Sequence, residues 1–136
     1  MIKRIFSRGQ KSSDFSIVVI DDSPNILKMI TMILEKEGYQ VFAYESAVMA
    51  LAELDHRGVP HLLIVDLMMP DMNGREFLEK ARIRLGRSAL PPVLMLTAAS
   101  DGEDVANRIG VEDFMPKPFS ADALLNHTWK LIERAM

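Results

Sequence analysis

Five polar residues sit at or just beyond the ends of short apolar runs in this 136-residue chain. Asp21 and Asp22 follow Ile17 to Ile20, Asp66 follows Leu62 to Val65, Thr97 follows Val93 to Leu96, and Lys117 lies just past Phe114 and Met115. If those runs are strands of one parallel sheet, all five side chains converge on one edge. Three carboxylates held there repel by roughly 4 kcal/mol per pair at 4 Å and an effective dielectric near 20. One must then be pushed neutral unless a cation joins them. The ligands are oxygens, with no Cys in the chain and no His at these positions, so a hard ion such as Mg²⁺ fits, leaving coordination open to a phosphoryl oxygen. A carboxylate is also a nucleophile toward phosphorus. Asp66 is best placed for that role, because it ends a central apolar strand, while Asp21 and Asp22 open a loop where paired acids serve as ligands. Lys117 would pair with one phosphoryl oxygen and Thr97 would donate a hydroxyl hydrogen bond to another.

The elements that must hold these residues follow from hydrophobic spacing. Ile17 to Ile20, Val41 to Tyr44, Leu62 to Val65, Val93 to Leu96 and Phe114 to Met115 are too short and too rich in apolar residues for amphipathic helices, and the spacing predicts five buried strands. Between them lie helix patterns. Ser23 caps and Pro24 opens the first, which keeps Ile26, Met29, Ile30, Ile33 and Leu34 in phase until Gly38. The second runs from Ser46 to Leu54 with Val48, Leu51 and Leu54 inward, the third from about Arg75 to Leu85 with Phe77, Leu78 and Ala81 inward, and the fourth from Asp101 to Ile109. Ser120 caps a last helix carrying Leu124, Leu125, Trp129, Leu131 and Ile132. Five strands alternating with five helices argue for a doubly wound α/β sheet covered on both faces, which binds ligands outside the carboxyl ends of its strands.

Composition narrows the classes further. With 49% apolar and 26% charged residues, the chain fits one domain. Sixteen basic against nineteen acidic side chains give a net charge of −3, no footprint for binding a nucleic-acid backbone directly. Zero Cys removes disulfides and thiolate catalysis and suits a reducing compartment. No apolar run reaches the roughly 18 residues of a membrane span, and residues 1–10 lack the apolar core of a leader, so a cytoplasmic location is expected. Charge is uneven: Lys3, Arg4, Arg8 and Lys11 all precede the first acid, Asp14. Residues 1–14 are therefore expected to form a flexible, solvated basic arm ahead of a domain at 15–136. His56, His61 and His127 have no ligand spacing and are expected at the surface or core edge, and the ten Met residues as adaptable packing.

Four motifs in combination resemble the receiver domain of two-component response regulators. They are Val-Ile-Asp-Asp-Ser at Val19 to Ser23, Ile-Val-Asp-Leu-Met-Met-Pro-Asp-Met-Asn-Gly at Ile64 to Gly74, Leu-Thr-Ala at Leu96 to Ala98 and Lys-Pro-Phe at Lys117 to Phe119. The resemblance covers Ser16 to Glu133. It implies a flavodoxin-like fold, five parallel strands in the order 2-1-3-4-5 with five helices. It further implies that Asp66 accepts a phosphoryl group from a histidine kinase or phosphotransfer protein and that Asp21, Asp22, Asp66 and the backbone carbonyl of Met68 hold Mg²⁺. Thr97 would follow the phosphoryl group, Phe114 would be the aromatic that swings inward, and a cis Lys117-Pro118 bond would aim the lysine at the site. Output would pass by protein contact through helix 4, strand 5 and helix 5 to a downstream target that the sequence does not name. In the resembled fold, the side chains two residues beyond the acceptor and two beyond the threonine flank the approach of hydrolytic water. Here these are Met68 and Ala99, neither able to orient water, which implies a long-lived phosphoryl group.

Other functions fit less well. A flavin carrier shares the topology, yet Asp21 and Asp22 would repel a flavin phosphate. A Mg²⁺-dependent aspartyl-phosphate phosphatase usually needs a second carboxylate two residues after its nucleophile, and that position is Met68. No dedicated turnover substrate is therefore expected. The chain ends at Met136, soon after the last helix, which leaves a stand-alone receiver, a phosphorelay intermediate or a fragment of a larger regulator. A monomer or a phosphorylation-dependent dimer is expected. Regulators that dimerise on DNA tend to carry Arg or Lys early in the last helix, and Ala123 to His127 has none.

Overall fold

The computed structural model describes residues 5–86, 90–98 and 100–136. A short 3₁₀ turn at Ser12–Asp14 leads into β1 (Ser16–Ile20), α1 (Pro24–Lys36), β2 (Gln40–Tyr44), α2 (Ala47–Arg57), β3 (Leu62–Asp66) and α3 (Gly74–Leu85). The chain continues through β4 (Val93–Thr97), α4 (Gly102–Ile109), β5 (Asp113–Pro116) and α5 (Ala121–Ala135). All strands are parallel and the order is β2-β1-β3-β4-β5, as expected for a doubly wound sheet. Because successive strand residues face opposite sides, Ile17 and Val19 pack with α1 and α5 residues such as Ile30, Leu34, Leu124 and Leu131. Val18 and Ile20 pack on the other face with Ala50, Leu51, Phe77 and Leu78. β3 and β4 are buried along their whole length, which puts their last residues at the centre of the carboxyl edge.

Caps mark the helices that rise from that edge. Ser23 Oγ accepts from the Ile26 amide at 3.4 Å, Asn73 Oδ1 from the Glu76 amide at 2.9 Å and Ser120 Oγ from the Ala123 amide at 3.0 Å. The second helix corrects the expected phase. Its buried residues are Ala47, Ala50, Leu51 and Leu54, whereas Val48 is exposed. The small Ala47 and Ala50 let the helix lie close to the sheet, and a branched side chain at 48 is left outside. The helix also runs on to Arg57, which pairs with Glu53 at 3.0 Å and lies 4.4 Å from the centre of the Phe42 ring.

Most described residues of the basic arm are exposed, and Phe6 is the exception. Phe6 is 1% exposed, its ring 4.6 Å from that of Phe15 and 6.5 Å from that of Tyr39. The Ser7 amide donates to the Glu133 carboxylate of α5 at 3.2 Å. Burial of its ring and the Ser7 bond thus anchor this point of the arm to the body. Lys3 and Arg4 lie outside the described residues.

Candidate functional site

The strand exits assemble as a single cluster. Asp21, directly after β1, is completely buried, Asp66 ends β3 at 4% exposure, and Asp22 stays open to solvent. One carboxylate oxygen from each lies within 4.8 Å of the others. Lys117, beyond β5, brings its ammonium into the same space, with Nζ donating to Asp21 Oδ2 at 2.9 Å and 3.3 Å from Asp66 Oδ2. The lysine is held in place from its own backbone, since its amide donates to the Thr97 carbonyl at 2.8 Å, and the Lys117-Pro118 peptide is cis. Thr97 ends β4 and is buried.

Local turns fix the two inner acids. The Ser23 amide donates to Asp21 Oδ1 at 2.9 Å, and the Met68 amide to Asp66 Oδ1 at 3.3 Å. The loop after Asp66 closes back on itself, with the Gly74 amide donating to the Leu67 carbonyl at 2.8 Å, and is tied to the start of α2, where Ser46 Oγ donates to Asp71 at 2.9 Å. A Cβ at Gly74 would lie 2.8 Å from the Asp66 carbonyl oxygen, so the glycine is what allows α3 to start against the end of β3. A Cβ at Gly102 would lie 2.3 Å from Cγ2 of Thr97, so the first turn of α4 rests directly on the threonine methyl. Sequence reasoning passed over both glycines. Close approach of distant backbone leaves no sequence signal of its own.

Burial, followed by the neighbouring Asp21 charge, raises the Asp66 carboxyl from its ordinary 3.8 to about 6, with Lys117 opposing the rise. Burial alone would lower the Lys117 ammonium, but its hydrogen bond to Asp21 and the charges of both acids outweigh this and hold it above its ordinary value. One ammonium against three carboxylates leaves the cluster short of positive charge. Its donors are all oxygens, and the open Asp22 gives an approach from solvent, so a hard divalent ion such as Mg²⁺ fits. An ion held there would have to displace the Asp66 proton below about pH 6. Apparent Mg²⁺ affinity should therefore fall with acidification below that point, approaching tenfold per pH unit. Calorimetric titrations at about pH 7 and about pH 5 check this, and equal affinities would contradict it.

The other residues singled out from the sequence flank the cluster or stand apart from it. Met68 is exposed beside the acids, and Phe114, on β5 opposite Met95, is half-buried against the α2–α4 side of the core. Ala99 lies outside the described residues. The histidines are away from the cluster: His61 Nδ1 accepts from the Ser16 amide at 3.0 Å, His127 pairs with Asp113, and His56 is exposed. No described helix is long and apolar enough to cross a membrane.

Comparison with known proteins agrees with this geometry. A family model described as the response regulator receiver domain matches residues 17–128. The transcriptional regulatory protein TrcR of Mycobacterium tuberculosis is 31% identical over 125 residues, which are 90% of this chain and 47% of that protein. The DNA-binding response regulator MtrA of Mycolicibacterium smegmatis is 33% identical over 80% of this chain and 46% of its own. The chain spans about half the length of these curated relatives. Among solved structures, a CheY-like response regulator receiver domain protein from Methanospirillum hungatei superposes with a TM-score of 0.79 at 28% identity, covering 89% of this chain and 95% of that one.

Proposed function

This chain belongs to the response regulator receiver domain family, phosphorylation-dependent signalling domains, and from that premise we propose that Asp66 is its phosphoacceptor and Asp21, Asp22, Thr97 and Lys117 the residues that make it one. The observation that carries the assignment is the Lys117 ammonium set between Asp21 and Asp66 at 2.9 and 3.3 Å within a three-carboxylate cluster. An Asp66 carboxylate oxygen attacks the phosphorus of a phosphohistidine on a histidine kinase or phosphotransfer protein. The new O–P bond forms as the P–N bond breaks, and the imidazole departs with the bonding pair. Asp21, Asp22, Asp66 and the Met68 carbonyl would hold Mg²⁺, which when bound neutralises charge on the transferring group. Lys117 turns from the acids to a phosphoryl oxygen, and Thr97 donates its hydroxyl to another.

Signalling follows from packing. A phosphoryl group adds about −1.5 to −2 charge and strong acceptors, which draw Thr97 toward Asp66. Because Gly102 rests on the Thr97 methyl, the first turn of α4 follows, and Phe114 fills the space vacated. Output then leaves through α4, β5 and α5. NMR of the protein with fluoroberyllate and Mg²⁺ tests this: shifts should spread from Asp66 through α4 to Phe114 and α5, and shifts confined to the acid pocket would overturn the switch.

Phosphoryl lifetime is a separate expectation. In-line hydrolysis needs an oriented water, and neither Met68 nor Ala99 can hold one, so the modified state should last well beyond seconds and suit a relay or stored signal. Met68→Asn combined with Ala99→Glu should shorten the half-life by at least about tenfold, or about 1.4 kcal/mol of barrier. Loss of radiolabel over time measures it, and an unchanged half-life would assign the rate to another feature.

A further inference from the structure

The α3–α4 side of the molecule carries a groove that runs from the edge of the phosphoryl site away from the acid cluster. A groove of about 510 Å³ between the two helices is lined by Arg75, Arg82 and Ile83 from α3 and by Arg108 and Ile109 from α4. Glu79 also lines it and pairs with Arg75 at 3.3 Å. A second cavity of about 290 Å³ shares Arg75 and Ile109 with the first, is lined also by Asp101 and Val105, and reaches Met68 on the loop after Asp66. Together they make an elongated trough along α4, a helix of eight residues and so about 12 Å long.

Three guanidiniums against two carboxylates, Glu79 and Asp101, leave the trough with a net positive lining in a chain whose net charge is −3. Their internal bonds use little of their capacity. Nε of Arg75 meets Glu79, Nη2 of Arg82 donates to the Ile109 carbonyl at 3.2 Å, and Nε of Arg108 donates to the Asp104 carbonyl at 3.4 Å. Each bond occupies one donor of a five-donor fork suited to carboxylates. Arg82 ties α3 to the last turn of α4 and so maintains the trough. Arg75 and Arg108 remain on its walls as the groups for an incoming anion. Ile83 stands 84% exposed beside them. A lone exposed isoleucine is ordinary, but next to paired arginines it adds an apolar anchor point.

We propose that this trough docks an extended acidic segment of a partner protein, whose carboxylates meet Arg75 and Arg108 and whose aliphatic side chain seats against Ile83 and Ile109. The positive lining on an acidic protein sets the charge of the occupant. The elongated shape sets its form, since four or five extended residues span about 15 Å, whereas a small anion would leave the second cavity and Ile83 without purpose.

The probe is a capped Glu-Glu-Leu-Glu-Glu peptide titrated into the full isotope-labelled chain and followed by NMR. Shifts should concentrate on Arg75, Ile83, Arg108 and Ile109. Arg75→Glu with Arg108→Glu should weaken binding at least about tenfold, and Ile83→Ser at least about threefold. Arg108→Gln alone, which keeps the side-chain stem, should weaken it in the same direction and guards against loss of fold in the double variant. Shifts centred on Arg8 and Lys11, or affinity unchanged in the arginine variants, would overturn the site. Inorganic pyrophosphate binding the same residues as tightly as the peptide, with Ile83→Ser silent, would overturn the peptide assignment in favour of a small anion.

Discussion

Asp66→Asn is expected to lower phosphoryl incorporation from acetyl phosphate by at least about a thousandfold, the range seen when a covalent nucleophile is removed. The same substitution should stabilise the metal-free protein at neutral pH. The Asp66 carboxyl is raised from 3.8 to about 6 by burial and by Asp21, so between those values the folded state binds more protons than the unfolded chain. Stability therefore falls as pH rises through that window and stays lower above it. The full cost is about 3 kcal/mol at 1.36 kcal/mol per pKa unit, and Asn, which never ionises, avoids up to that amount. Urea unfolding in the presence of EDTA should show the variant more stable at about pH 7 and equal to the parent near pH 4. Loss of labelling with no gain in stability would mean that Asp66 is not the repelled member of the cluster.

Gly74→Ala should be strongly damaging for so small a substitution. The added Cβ would lie 2.8 Å from the Asp66 carbonyl oxygen and 3.0 Å from the Leu67 Cα, both backbone atoms that no rotamer change can move aside. Relief requires shifting the start of α3 away from the end of β3, at a cost of about 3 kcal/mol. The Asp66 carboxylate and the Met68 amide that holds it sit on the same turn, so labelling should drop along with stability. Gly58→Ala is the control. Its φ of 84° is strained for alanine, but no atom lies within 4 Å of the added Cβ, and it is remote from the acids. It should lower stability without changing the labelling rate of the folded protein. A Gly74→Ala variant that melts and labels like the parent would contradict the close approach.

The sheet and its chemical edge were legible in the sequence because strand exits are one-dimensional signals. In a parallel sheet every exit points the same way, so the acids after Ile20 and Val65 had to meet the residues after Leu96 and Met115. Ser23, Asn73 and Ser120 take their hydroxyl or amide caps from local spacing alone, and the first and last of these were readable for that reason. Features that depend on distant pieces of chain were not. Phe6 looks like an isolated aromatic in a basic tail, and its partners Phe15 and Tyr39 approach it only in the folded chain. Val48 fits the helical period as well as Ala47 does, and only the distance from α2 to the sheet decides which side faces in. The contact of Gly102 with Thr97 and the gathering of Arg75, Arg82 and Arg108 come from packing of separate elements, and neither leaves a trace in local pattern.

Borohydride trapping reports which side chain carries the phosphoryl group, and the carboxylate of Asp66 is the expected one. Hydride reduces an acyl phosphate to the alcohol while leaving free carboxylates untouched. Protein treated with acetyl phosphate and Mg²⁺, reduced and digested, should therefore yield the peptide spanning Leu62 to Arg75 with homoserine in place of aspartate at position 66, and none when EDTA replaces Mg²⁺. Homoserine at Asp21 or Asp22, or an unmodified peptide from protein whose intact mass shows bound phosphate, would contradict that assignment.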